Sequence, residues 1–159
     1  MIYHKIGAGT GYGSKRLVAF DDALLESGVG NYNLMRLSSI LSVFSKPKEN
    51  IDLPLGSILP IAYASYTTGK SEGTVISAAV AIGYPEIMDS EHCAVIMEYE
   101  GECSLDYAIK TVEGMVKEAF QCRGWNLSHI ESKGAEGHSE PDKYVSVFAY
   151  VAEWSEDDD

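Results

Sequence analysis

SLDYAIKTVEGMVKEAFQCRG, residues Ser104 to Gly124, is the stretch on which the fold turns. Leu105, Ala108, Ile109, Val112, Val116, Ala119 and Phe120 recur there at the 3.6-residue period of a helix with one apolar face. Ser104 supplies an N-cap and Gly124 a stop. On both sides the pattern changes. Thr74–Ile82 and Cys93–Tyr99 precede it, and Leu127–Ala135 and Tyr144–Trp154 follow, all reading as strands. Farther upstream, Asn33–Phe44 and Ile58–Thr67 are rich in Leu, Ile, Val and Tyr and read as strands too. Ile2–Ile6 is a short strand that glycines at 7, 9, 11 and 13 are expected to break. Phe20–Ser27 reads as a short helix with Asp21 and Asp22 in its first turn, favourable at the positive end of the dipole, and Gly28 and Gly30 stop it. Many strands with one short and one long helix predict an α+β layered domain.

The chain has 159 residues, one domain's worth, and at that length folding hides roughly 70% of the unfolded surface. A core is therefore available without metal or disulfide staples. Lys and Arg total 12 against 24 Asp and Glu, a formal net charge of −12. Such a chain repels phosphate on average, so nucleic acid is not an expected partner and small cationic ligands are favoured. Four of the acids form the end Glu156-Asp157-Asp158-Asp159, so 1–154 is read as the domain and 155–159 as a disordered acidic tail. The start, MIYHKIGAG, has no basic-then-apolar leader, and no apolar run approaches a membrane span. Cys93, Cys103 and Cys122 show no C-x-x-C spacing, which suits reduced thiols. The expected setting is the cytoplasm, with no membrane partner, so the glycosylation pattern Asn126-Leu-Ser128 is read as chance.

Other motifs fail on spacing. Gly69-Lys70-Ser71 looks like the end of a phosphate-binding loop, but Ala64 stands where its first Gly is needed and no helical pattern follows. A dinucleotide fingerprint on the glycines at 7 to 13 would need another where Tyr12 or Ser14 stands, so a flexible turn is expected instead. His4, His92, His129 and His138 share no metal-ligand spacing; they read as surface histidines, and no metal site is expected.

Two segments can carry chemistry: Asn31-Tyr-Asn33-Leu-Met-Arg36-Leu-Ser38-Ser39-Ile40 and Val95-Ile-Met-Glu98-Tyr-Glu100-Gly101. Taken alone, a Ser pair in an apolar strand is unremarkable. Glu98 directly follows Cys-Ala-Val-Ile-Met. It is either a strand-end carboxylate in water or a partly desolvated acid whose raised pKa suits proton donation. Glu100 shares its face if the run is a strand.

The strings GxGxG, LVAFDDALLESGVGNYNLMRLSSI, LPLGSILPIAYA, VIMEYEG and AFQCRGW, in this order over nearly the whole chain, resemble the pyruvoyl-dependent arginine decarboxylases. The resemblance implies a single αββα sandwich domain per protomer, assembled as a homotrimer or a dimer of trimers with active sites at subunit boundaries. It also implies self-processing. Ser39 Oγ would attack the Ser38 carbonyl, exchanging amide for ester, and β-elimination would break the chain into 1–38 and 39–159. Hydration of the dehydroalanine and loss of ammonia would leave a covalent pyruvoyl group made from Ser39. That ketone forms a Schiff base with the substrate's α-amine and acts as electron sink as carbon dioxide leaves, replacing pyridoxal phosphate. In the family's pattern Glu98 matches the acid that reprotonates the substrate carbon, and Asp21 the carboxylate facing the guanidinium. Asn33 matches the side chain that assists self-cleavage.

The activity implied is conversion of L-arginine to agmatine and carbon dioxide, a step toward polyamines. The alternatives are the same machinery acting on another amino acid such as histidine, against which Asp21 argues, or an unprocessed assembly subunit. Asn33 and Ser39 are six residues apart, roughly 20 Å if extended. Either the segment bends, or the Asn comes from a neighbouring protomer.

Overall fold

Residues 1–69 and 73–157 are described by a computed structural model. The chain runs β1 (Ile2–Gly13), α1 (Arg16–Glu26), β2 (Asn33–Arg36), β3 (Ile40–Leu41), β4 (Lys46–Pro47), β5 (Ile58–Thr68) and β6 (Val75–Pro85). It continues through β7 (Ala94–Gly101), α2 (Leu105–Arg123), β8 (Leu127–His138) and β9 (Tyr144–Ser155). Two sheets form, ordered β2-β5-β9-β1-β4 and β3-β7-β6-β8. They face each other across an apolar layer that includes Ala62, Ile76, Val80, Ile82, Val147 and Val151. Because strand residues alternate faces, each sheet has a second apolar side to cover. Ala23 and Leu24 of α1 cover Phe148 and Tyr150 on one; Val112, Val116 and Phe120 of α2 cover Ala79, Ala81 and Val95 on the other. The order of layers is αββα, as the resemblance implies. Burying each such Val or Phe contributes about 1.5–3 kcal/mol relative to exposure.

The long helix matches its sequence reading. The Ser104 side chain accepts from the Tyr107 backbone N–H, and Gly124 closes the helix in the left-handed region at φ 68°. Five other expectations change. β1 is not broken by its glycines; it runs unbroken to Gly13, fully paired with β9. Gly9, Gly11 and Gly13 share the face on which α1 lies, so close that a Cβ would meet helix backbone, at 2.8 Å from Ala23 O for Gly9 and 2.7 Å from Ala19 N for Gly13. The glycines are a seat for the helix.

Helix α1 begins at Arg16, so Asp21 and Asp22 fall in its middle, and its first turn holds no acid. Asp22 Oδ2 instead accepts from the Tyr12 backbone N–H at 2.9 Å, fastening helix to strand. Asn33–Phe44 is not one strand. It splits into β2 in the first sheet and β3 in the second, crossing at Leu37–Ser39. Nor does the tail loosen at 155. Ser155 pairs with Ile2, and Glu156 accepts from Trp154 Nε1 at 2.8 Å and the Asp52 N–H at 3.1 Å while ion-pairing with Lys48. His4, finally, is no surface group: it is 4% exposed and hydrogen-bonded to Ser45 Oγ. Lys70 and Ser71 of the phosphate-loop look-alike, and Asp158 and Asp159 of the acidic tail, lie outside the described residues. Among the described residues, no helix is long and apolar enough to cross a membrane.

Candidate active site

The crossing between sheets creates the site. Leu37 still belongs to the first sheet, its N–H donating to Ile61 O at 2.8 Å. Two residues later Ser39 belongs to the second, its carbonyl accepting from Ile96 N–H at 2.7 Å. Ile40 and Leu41 then pair with Val95 and Ala94. Strand β3 thus covers only the beginning of β7. The Ser38–Ser39 junction lies in the open span between the sheets, Ser38 exposed and Ser39 half-buried.

Glu98 follows Ile96 on the same face of β7, roughly 7 Å farther along. That face looks into the layer between the sheets, since Ala94 and Ile96 belong to its core. Glu98 is therefore an acid at the rim of an apolar layer, opposite Val80 of β6. Its side chain is 24% exposed. Oε1 accepts from Arg36 Nη2 at 3.3 Å, whereas Oε2 is buried and, among the described residues, has no hydrogen-bond partner. Burial pushes the Glu98 carboxyl above the ordinary range, Arg36 pulls it back, and the negative charge of Glu100 adds to the rise. Glu100 is also raised by burial and held back by Arg36.

Arg36 is held independently. Its Nη2 donates to the Tyr63 carbonyl at 2.8 Å, and the guanidinium lies 4.4 Å over the Tyr63 ring. Sequence reasoning gave this residue no role. Its signal was present: a lone cation two residues before the Ser pair. What could not be read was that the chain turns out of one sheet there, aiming the side chain at an acid 62 residues away.

The structure brings Ser39 and Glu98 to one edge and leaves Asn33 and Asp21 on other elements. Asn33 opens β2, at the end remote from the crossing, with its Nδ2 donating to Gly56 O at 2.8 Å. Asp21 lies on α1, in the layer outside the first sheet, where it borders a shallow hollow with Leu17, Val18, Phe20 and Leu24. The segment does bend after Asn33, but the bend turns residue 39 toward β7 rather than back along β2.

Comparison with known proteins gives one consistent result. A family model described as pyruvoyl-dependent arginine decarboxylase (PvlArgDC) matches residues 3–157. The pyruvoyl-dependent arginine decarboxylase of Methanocaldococcus jannaschii is 43% identical over 147 residues, covering 92% of this chain and 86% of that one. That of Methanococcus vannielii is 40% identical over 151 residues, covering 92% and 87%, and that of Thermococcus kodakarensis 39% over 132 residues, covering 82% of each. Among solved structures, a pyruvoyl-dependent histidine decarboxylase at pH 8 superposes with a TM-score of 0.52 at 16% identity. The match covers 67% of this chain and 54% of that one, a likeness of fold.

Proposed function

The chain belongs to the pyruvoyl-dependent arginine decarboxylase family, and from that premise we propose that it splits itself between Ser38 and Ser39 and converts L-arginine to agmatine and carbon dioxide. The covalent pyruvoyl group supplies a ketone that captures the substrate's α-amine and an electron sink for the departing carboxylate. The residues present fit that group. Ile96 N–H anchors the carbonyl of residue 39, and a buried carboxyl oxygen of Glu98 stands without a partner two residues along the same strand. This pairing of Ser39 with a desolvated acid is the observation that carries the reading.

In the splitting reaction Ser39 Oγ adds to the Ser38 carbonyl carbon and the amide C–N bond breaks, giving an ester. Loss of the Ser39 α-proton and cleavage of its Cβ–O bond then release Ser38 as a carboxylate. The dehydroalanine left at 39 takes up water and expels ammonia. Asn33 assists by hydrogen bonding, and its present partner, Gly56 O, occupies only one of its two amide protons. In turnover, Glu98 delivers a proton to the substrate carbon; its half-buried setting keeps the proton on the acid at a pH where a free carboxylate would have lost it. Asp21 pairs with the substrate's guanidinium in a two-pronged, charge-assisted contact.

Asp21 and Asn33 belong to other elements than Ser39 and Glu98, so we assign their roles to a boundary between copies, in a homotrimer or a dimer of trimers. The apolar side chains beside Asp21 support such a boundary, with Leu17 75% and Val18 52% exposed. Residues 1–156 then form one decarboxylase domain of a cytoplasmic enzyme, whose product feeds polyamine synthesis.

Intact mass spectrometry of the purified protein tests the reading. Two fragments, 1–38 and 39–159, are expected, the second lighter by one ammonia than a chain that begins with an intact Ser39. Borohydride with arginine should then add the mass of the bound amine to the long fragment and stop turnover. A folded, assembled sample that stays whole and still releases carbon dioxide from arginine overturns it.

A further inference from the structure

We propose that Arg36 is a positioning residue for the proton-donating step, clamping Oε1 of Glu98 so that Oε2 stays free beside residue 39. The inference rests on the reading of Glu98 as donor and goes one step beyond it. A carboxyl with both oxygens loose can turn either one, or neither, toward a reacting carbon. Here one oxygen is taken by Arg36 Nη2 at 3.3 Å and the other is buried and unpartnered. The clamp is itself fixed at two further points, the Tyr63 carbonyl at 2.8 Å and the face of the Tyr63 ring at 4.4 Å. Planar, permanently charged guanidinium suits all three contacts; a lysine ammonium would keep the charge and lose the stacked plane.

The arrangement also crosses the cleavage point. Arg36 belongs to the short fragment and Glu98 and Tyr63 to the long one, so the clamp ties the fragments together after splitting. Among the described residues, two charged groups bear on Glu98. Arg36 approaches from β2, Glu100 lies on β7 itself, Tyr63 of β5 acts through Arg36, and β6 presents the apolar Val80. Arg36 is the cation in this set, and it favours the ionised form of Glu98 against burial and Glu100. Its removal should therefore leave the acid protonated to higher pH.

The test is the pH dependence of kcat in assembled, split protein. For Arg36→Gln the expected result is a kcat lowered about tenfold, a KM within about twofold, and an alkaline limb moved up by about one pH unit. Arg36→Lys should leave the limb near its original position while kcat stays low. If the limb does not move in Arg36→Gln, however far kcat falls, Arg36 is merely structural and the inference is overturned. Should Arg36→Gln fail to assemble, Tyr63→Leu, which removes the ring and keeps the carbonyl, carries the same test: a smaller upward shift is expected, and an unmoved limb overturns the inference. Glu98→Gln separates the two layers of argument. If that variant keeps the full rate and the same limb, the donor reading itself fails, whatever Arg36 does.

Discussion

The two outer helices do the same job by opposite means. Helix α2 is capped at its start by Ser104, closed at its end by Gly124, and packed through side chains, Val112, Val116 and Phe120 against Ala79, Ala81 and Val95. Helix α1 has no side-chain cap at Lys15 and no acid in its first turn, and it lies backbone to backbone on the glycines of β1. One helix carries its own instructions; the other is specified by the strand it rests on. The close-seated helix is the one that bears Asp21, the proposed partner of the guanidinium. Over β1 the helix approaches with no intervening side chain, so its height there is set by backbone, while Phe20, Ala23 and Leu24 pack on Phe148 and Tyr150 of β9.

The largest expected effect breaks this contrast at its base. Gly11→Val sets a branched side chain into the Ala19–Ala23 backbone of α1, which has no rotamer to yield with. It should cost more than Phe120→Ala, which empties a site under α2 and by comparison with other cores costs about 3–5 kcal/mol. Urea unfolding of the two variants, read by circular dichroism, checks the ordering. If Gly11→Val is the milder change, α1 can lift from the sheet, and the glycine seat is not what fixes it.

Asp21→Asn sharpens the functional half. The side chain is exposed and mid-helix, so unfolding should stay within about 0.5 kcal/mol of the parent. Loss of a charge-assisted contact to the guanidinium should raise KM for arginine by roughly 10- to 100-fold, the equivalent of about 1.5–3 kcal/mol. Glu118→Gln, the same exchange on the exposed side of α2, should change neither quantity. Equal KM values for both variants would remove Asp21 from substrate binding.

Much of the scaffold was legible because its signals are local. The period, cap and stop of α2 lie within one segment, as do the apolar runs of β5, β6, β7 and β9. The misreadings share one cause, which is information held by distant residues. Glycines 7 to 13 look like a turn until α1 is laid on Gly9, Gly11 and Gly13 and the Tyr150 ring on Gly7. Asn33–Phe44 looks like one strand because both halves are apolar; only their different partners, Ile58–Ile61 and Ala94–Val95, show the change of sheet. Ser39 and Glu98 were singled out, but Arg36 was not, because its meaning depends on an ion pair across 62 positions. Glu156 reads as tail composition and is held by Lys48, Trp154 and Asp52.

The smallest expected effect belongs to the plainest local signal. Ser104 Oγ accepts from Tyr107 N–H at 3.2 Å, one of several satisfied groups at that end of α2, since Glu136 Oε2 also accepts from Leu105 N–H at 2.8 Å. Ser104→Ala should therefore lower stability by only about 1 kcal/mol and leave decarboxylation unchanged. A much larger loss would mean that α2 depends on its first turn and is not held by its buried face. The expected order, with Gly11 far above Ser104, separates what marks a helix from what holds it. A cap fixes where a chain begins to coil, at little energetic cost if it is lost. A seat without side chains leaves no such mark, yet the layer that carries Asp21 cannot close without it.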